Sequence, residues 1–314
     1  MATFIVRRLL QTVLILFIVS LFVFLIMHML PGDPVAIMLG DQAGVEEVEK
    51  IRKELGLDRP IWQQYVNWLV KAVQGDFGRS ITYNEEIRDL IAKRLPISFH
   101  IGASAFVLAI LIGIPAGMFA AVKRGSWVDS LITVTANFGM AVPVFWLGIL
   151  GVYLFGLKLG WLPVQGYTSP FEDFGESMRK SLMPIVLLSL GTLATMARQT
   201  RSAMLEVIRQ DYIRTARSKG LKERDVFLKH ALRNGLIPVV TLLGMGLASL
   251  VGGSVFIEQV FNIPGMGRLM VQAIFGKDYL VVQTVVLIVA GVVALGNLLV
   301  DIAYGFIDPR IRYK

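Results

Sequence analysis

Apolar positions along the chain gather into six long runs separated by polar stretches. Leu9–Leu30 is 22 residues without a formal charge, Ile97–Val122 is 26 with His100 as its one ionisable group, and Leu131–Leu157 is 27 without a charge. Leu182–Ala197, Leu236–Ile257 and Leu280–Val300 add runs of 16, 22 and 21 residues. About 20 helical residues cross the hydrocarbon core of a bilayer, so five of the six are long enough outright. Leu182–Ala197 is short, and must borrow Gln199 and Thr200 or sit tilted against its neighbours. The pattern predicts an all-α membrane protein with six transmembrane helices.

The polar stretches carry weaker periodicities. In residues 31–97 an apolar stripe at Val45, Val48, Ile51 and Leu55 stops at Gly56. Asp58 and Pro60 then supply a cap and a first-turn proline for a helix with Ile61, Tyr65, Trp68, Leu69 and Ala72 on one face. Asn84 opens a third helix, with Ile87, Leu90 and Ile91, expected to stop at Pro96. Such amphipathic helices must bury their apolar faces against the bilayer interface or the ends of the spans. Residues 1–30 therefore read as an N-terminal anchor and first span, 31–97 as an outer helical region, and 98–314 as a core of five spans. The first run is too long for the core of an export signal and lacks a small-residue cleavage site, so it reads as an uncleaved anchor.

Composition supports this class, with 55% hydrophobic residues and a mean hydropathy of +0.64. With Arg7 and Arg8 inside, six spans place both termini in the cytoplasm. The inner segments then carry 17 Lys and Arg, against 5 in the short outer loops. That bias fits the positive-inside rule. The net charge of +8 is mostly a topological signal, and nucleic acid is not an expected partner. Cysteine is absent, which removes disulfides, thiolate metal sites and thiol nucleophiles.

The densest charge lies in the cytoplasmic loop 198–238, which holds ten Lys and Arg. Leu205, Ile208, Tyr212 and Ala216 recur at helical spacing, so one face is apolar. Gly220 breaks the pattern, and a second helical run follows from Arg224 to Leu232. Such a helix–glycine–helix is either a surface held by a partner or a loop that only fixes topology. Proline and glycine also mark the spans. Pro115 and Pro143 can kink the second and third, and Gly244, Gly246, Gly252 and Gly253 crowd the fifth. These positions either frame a gate and pathway or serve close packing. Asp301, near the cytoplasmic end of the last span, reads as a structural pairing.

Catalytic chemistry is missing. There is no G-x-x-x-x-G-K-[ST] phosphate loop and no H-E-x-x-H, and the histidines His28, His100 and His230 are scattered. No catalytic or metal-ligating set is assigned, and a non-enzymatic pathway protein that responds to a partner remains.

The central loop resembles the cytoplasmic EAA loop of ABC importer permeases, whose pattern is E-A-A, three residues, G, nine residues, I-x-L-P. Aligned on Gly220, Arg214-Thr215-Ala216 and His230-Ala231-Leu232-Arg233 take the motif positions, with Ala216, Gly220 and Leu232 matching. The string DYIRTARSKGL…KHALRNGLIPVV is similar to the form taken in the dipeptide, oligopeptide, glutathione and nickel branch. So are HMLPGDP at 28–34, LGLDRPIWQQY at 55–65, GDFGRSI at 75–81, LGWLP at 159–163, EQVFNIPGMGRL at 258–269, KDYLVVQ at 277–283 and NLLVDIAYGFIDPRIRYK at 297–314. The resemblance covers nearly the whole chain and points to the member of the permease pair with the longer outer region.

The resemblance implies a type I-like permease fold in a bacterial or archaeal plasma (inner) membrane. The implied partners are a second permease, two ATPase subunits, an outer substrate-binding protein and the lipid bilayer. No cofactor is expected in this chain, since ATP and Mg would be bound by the ATPase subunits. The implied substrate is a dipeptide or oligopeptide, with nickel or glutathione as alternatives and a secondary transporter or membrane enzyme as the reading from another class. Glu206, Ile208, Asp211, Tyr212, Arg214, Thr215, Ala216, Gly220 and His230 would form the coupling loop, with its apolar helix face seated in a groove on one ATPase.

Overall fold

The computed structural model describes residues 2–29, 46, 49, 52–53, 57–236, 239, 246, 252 and 254–307. Within them the regular structure is helical, apart from an isolated bridge between Arg79 and Glu86, with turns and loops between the helices. Four helices are long and apolar enough to cross a membrane, and a bent pair makes a fifth candidate. The expected fifth span, Leu236–Ile257, lies mostly outside the described residues, as do the stripe 45–55 as a whole and Gly244, Gly253 and Pro238.

Helix α1 spans Ala2–Met29, and α2 spans Ile61–Val73 with Pro60 just ahead of it rather than in its first turn. Tyr65, Trp68 and Ala72 of α2 are buried. The Tyr65 ring stands 5.3 Å from that of Phe24 in α1, and its hydroxyl lies 2.9 Å from Ser20 Oγ. A shared hydroxyl contact removes two polar atoms from an apolar surface at little cost.

Helix α3, Ile87–Val122, runs unbroken through Pro96 and Pro115. The expected stop at Pro96 does not occur, and the outer region drawn to residue 97 ends inside this helix. One proline costs a single intrahelical bond, whereas Ile87, Leu90 and Ile91 ahead of it are buried with Val23 and Met27 of α1. Packing across that first turn outweighs the missing bond.

Helix α4, Trp127–Ala141, begins at Ser126, whose Oγ accepts from Asp129 N. Helix α5, Val144–Gly151, continues as a π-helical stretch, Val152–Lys158, and leaves α4 at 99°. Pro143 causes the break: it has no N–H to give and holds Val142 extended.

Helix α6, Phe174–Val207, is 34 residues long and capped by Asp173, which accepts from Glu176 N at 2.9 Å. The short run Leu182–Ala197 therefore needs no tilt to gain length, because polar turns extend the helix at both ends. Among the described residues, helices α3 and α6 form the most extensive pair. Glycine allows that approach: a Cβ at Gly113 would stand 2.8 Å from Leu193 O, and one at Gly117 would collide with Ala197 O.

Beyond α6 come α7, Asp211–Ser218, and α8, which opens at Glu223–Asp225, passes through a π-helical stretch at Val226–Ala231 and closes on Leu232–Gly235. Helices α9, Val255–Val260, α10, Met266–Phe275, and α11, Tyr279–Ile307, complete the described chain. The bundle thus has a loop end, built by α7, α8 and the ends of α3 and α6, and an opposite end built by α9, α10 and the first turns of α3 and α11.

Two fully buried carboxylates knit the opposite end. Glu258 accepts from Ser98 Oγ and Ser254 Oγ, both at 2.6 Å, and from Arg268 N at 2.9 Å. Asp278 accepts from Ser80 Oγ at 2.6 Å and Thr82 N at 3.0 Å. Each buried oxygen is matched by donors, as burial demands.

Candidate coupling surface

Helix α6 ends at Val207, and the turn 208–210 re-aims the chain before α7. The periodicity through Leu205, Ile208, Tyr212 and Ala216 is therefore not that of one helix. Inside α7 the buried positions are Ile213 and Ala216, three residues apart. They join Met204 of α6, Ala121 of α3, and Val226 and Ala231 of α8 in one cluster, flanked by Met118, Leu205 and Ile208. The apolar face of α7 is thus turned into the chain's own bundle, which corrects the expectation that it lies open for a partner. Ile213, fully buried, was not singled out by the stripe, although it is the bulkiest aliphatic side chain of α7.

The face left open is polar. Asp211, Arg214 and Thr215 are exposed, and Tyr212 is 41% exposed. Asn234 Nδ2 donates to Tyr212 Oη at 2.8 Å, so the ring is held by the end of α8. Glu206 and His230 are exposed as well.

Gly220 ends α7 with φ +77°, and its N–H bonds to Arg217 O at 2.9 Å. A Cβ there would meet nothing within 4 Å. The requirement for glycine comes from the left-handed backbone alone. Across the turn, Arg217 Nε donates to Glu223 Oε1 at 2.9 Å, and the guanidinium stands 5.8 Å from the Phe227 ring. One turn on, Lys229 Nζ lies 2.9 Å from Asp225 Oδ1, and this contact holds the Asp225 carboxyl below its ordinary pKa.

A further tie fixes the neighbouring loop. Arg201 of α6 donates from Nε to Asp129 Oδ1 at 2.6 Å and from Nη2 to Oδ2 at 2.8 Å. Gly125 N also donates to Asp129, at 3.0 Å. Helices α3, α4, α6, α7 and α8 are therefore joined at the loop end by one apolar cluster and one bidentate ion pair. Such a junction packs α7 and α8 with the ends of α3, α4 and α6 as one unit.

Of the pathway candidates, Pro143 stands at the 99° break, while Pro115 lies inside continuous α3. Gly246 is a packing glycine, since a Cβ there would stand 2.5 Å from the Phe106 ring. At Gly252 a Cβ would meet Val289 at an ordinary 3.7 Å. The side chain of Asp301 lies outside the described residues.

Residues 113–313 match the family model described as binding-protein-dependent transport system inner membrane component, and residues 1–102 match the model of its N-terminal part. The chain is 45% identical over 314 residues to a provisionally named peptide transport system permease protein of Brucella abortus (strain 2308), covering 100% of both. It is 40% identical over 313 residues to a probable peptide ABC transporter permease protein of Sinorhizobium fredii (strain NBRC 101917 / NGR234), again covering 100% of both. It is 41% identical over 314 residues, 100% of both chains, to the glutathione transport system permease protein of Escherichia coli (strain K12). Among solved structures, an inward-facing form of the MetNI methionine ABC transporter matches with TM-score 0.58 and 20% identity, over 70% of this chain and 96% of that one. That likeness speaks to the fold.

Proposed function

We propose a function from the premise that this chain belongs to the family of binding-protein-dependent transport system inner membrane components. It is a membrane permease of an ABC importer, and we infer that its cargo is a peptide. The names of the Brucella and Sinorhizobium relatives favour peptides, and the Escherichia coli relative favours glutathione, itself a small peptide, as the second reading.

The observation that carries the mechanical part of this proposal is the burial of Ile213 and Ala216 against α3 and α6 while the polar face of α7 stays open. In the proposed assembly this chain and a second permease enclose the pathway, two ATPase subunits sit below, and a binding protein delivers cargo from outside. The chain itself performs no catalysis, and ATP and Mg belong to the ATPases. Six spans, with both termini cytoplasmic, put the loop end on the ATPase side. Residues 1–30 act as the anchor, 31–97 as the outer region, whose last part is already the start of α3, and 98–314 as the core, with 198–238 as the coupling loop. Asp211, Tyr212, Arg214, Thr215, Glu206 and His230 then face the ATPase, Ile208 and Ala216 fix α7 to the bundle, and Gly220 sets the angle between α7 and α8. Closure of the ATP-bound ATPases moves α7, and the cluster around Met204 carries that motion into α3 and α6. ATP binding supplies the free-energy difference between the two states.

The test is uptake by the complete importer in proteoliposomes with ATP enclosed, offering labelled trialanine, glutathione and nickel separately. ATP-dependent entry of trialanine supports the leading reading and entry of glutathione alone supports the second. Entry of nickel alone, or uptake without ATPase subunits, would overturn both.

A further inference from the structure

The break between α4 and α5 leaves a row of main-chain acceptors without donors. The last bond of α4 runs from Val142 N to Phe138 O at 3.1 Å. Pro143 has no N–H, and the next bonds, from Trp146 and Leu147, go to Pro143 O. The carbonyls of Gly139, Met140, Ala141 and Val142 therefore accept no hydrogen bond from any described residue.

Their depth follows from the antiparallel packing of α4 on α6. Asp129 pairs with Arg201 at the loop end, and Gly139 lies against Leu190. Ten helical residues separate Asp129 from Gly139, about 15 Å, which is half of a hydrocarbon core of about 30 Å. Facing lipid, each unpaired carbonyl would cost several kcal/mol, so irregular backbone at this depth must line water or meet donors.

Space for a ligand adjoins them. A cavity of about 290 Å³ is lined by Gly139, Val142 and Val144 at the break, Gly191 and Thr192 of α6, and Phe106 of α3. Gly139 can line it only with main chain, and a Cβ at Gly191 would meet nothing within 4 Å. The C-terminal end of α4 carries the negative pole of its helix dipole, partly offset by the positive pole at the start of α5. Free carbonyls at such a half-helix end favour cations and N–H donors.

We propose that this break is a contact site for the transported peptide, in which the carbonyls of residues 139–142 accept from its ammonium and amide N–H groups and the apolar wall receives small or apolar side chains. The proposal rests on the peptide reading above. It gives main-chain recognition that is blind to cargo sequence, because every peptide carries the same donors.

The chain has no cysteine, so Val142→Cys and Thr192→Cys, both at residues that line the cavity, each place a single thiol at the site in the complete importer. Modification rates with the ammonium reagent MTSEA and the sulfonate reagent MTSES are each normalised to the rate with a small thiol in solution. The expected result is modification at least tenfold faster by the ammonium reagent at both positions, slowed severalfold by excess trialanine. Equal normalised rates, or no modification by either reagent, would overturn the site, the latter because the second permease covers it. A charge preference that trialanine does not slow would overturn the peptide as occupant. Uptake of labelled trialanine by the unsubstituted importer is measured in parallel: its absence removes the peptide reading, whereas uptake without charge preference removes only this inference.

Discussion

Arg201 grips Asp129 through two hydrogen bonds, of 2.6 and 2.8 Å, that join α6 to the first turn of α4. The Asp129 side chain is 8% exposed and that of Arg201 30%. Removing the cation strands a nearly buried carboxylate, while removing both charges does not. Arg201→Met should therefore destabilise the detergent-solubilised complex by about 2–3 kcal/mol, less than for a fully buried pair because Arg201 still meets solvent. Arg201→Met with Asp129→Leu should recover much of the loss. Thermal unfolding of both variants checks this, and an additive double variant would contradict it.

Gly220 separates backbone strain from steric room. Its φ of +77° excludes ordinary side chains, yet space around it is open. Gly220→Val should leave membrane insertion intact and cut ATP-coupled uptake more than tenfold, because α7 and α8 can no longer meet at this angle. Gly220→Asn, which tolerates the left-handed region, should keep most of the uptake. Equal activity of the valine variant would remove the turn from the coupling account.

At the opposite end, Gly265 leaves no room for a methyl group, since a Cβ there would collide with the Glu258 carboxylate. Gly265→Ala should push Glu258 away from Ser98 and Ser254 and lower the melting temperature of the purified complex. Glu258→Leu should do so as well, because the two hydroxyls and Arg268 N lose their acceptor at about 1–3 kcal/mol for each unsatisfied group. Melting temperatures equal to that of the unsubstituted protein would show that this buried network contributes nothing.

The long spans were legible because an apolar run of bilayer length has few other readings, and α1 and α11 cover their runs, while α3 starts ten residues ahead of its own. Gly220 was legible as well, since a glycine between two amphipathic runs is a common helix stop. The face of α7 was not. Its apolar spacing runs through the turn at 208–210, between the end of α6 and the start of α7, so helical periodicity groups Tyr212 with side chains of a different helix. Pro96 misled for the opposite reason, because burial of Ile87, Leu90 and Ile91 on other helices is a tertiary effect that local sequence does not show. Ion pairs such as Asp129 with Arg201 span 72 positions and follow no short pattern.

In the proposed assembly α7 meets the ATPase with its polar face while its apolar pair, Ile213 and Ala216, stays locked in the bundle. Single cysteines at Tyr212 and Ile213 of this cysteine-free chain, combined with a short bifunctional thiol reagent and surface cysteines on the ATPase, test it directly. Cross-linking from position 212 but not from the fully buried 213 is the expected result. Cross-linking from 213 as efficient as from 212, or none from 212, would contradict it.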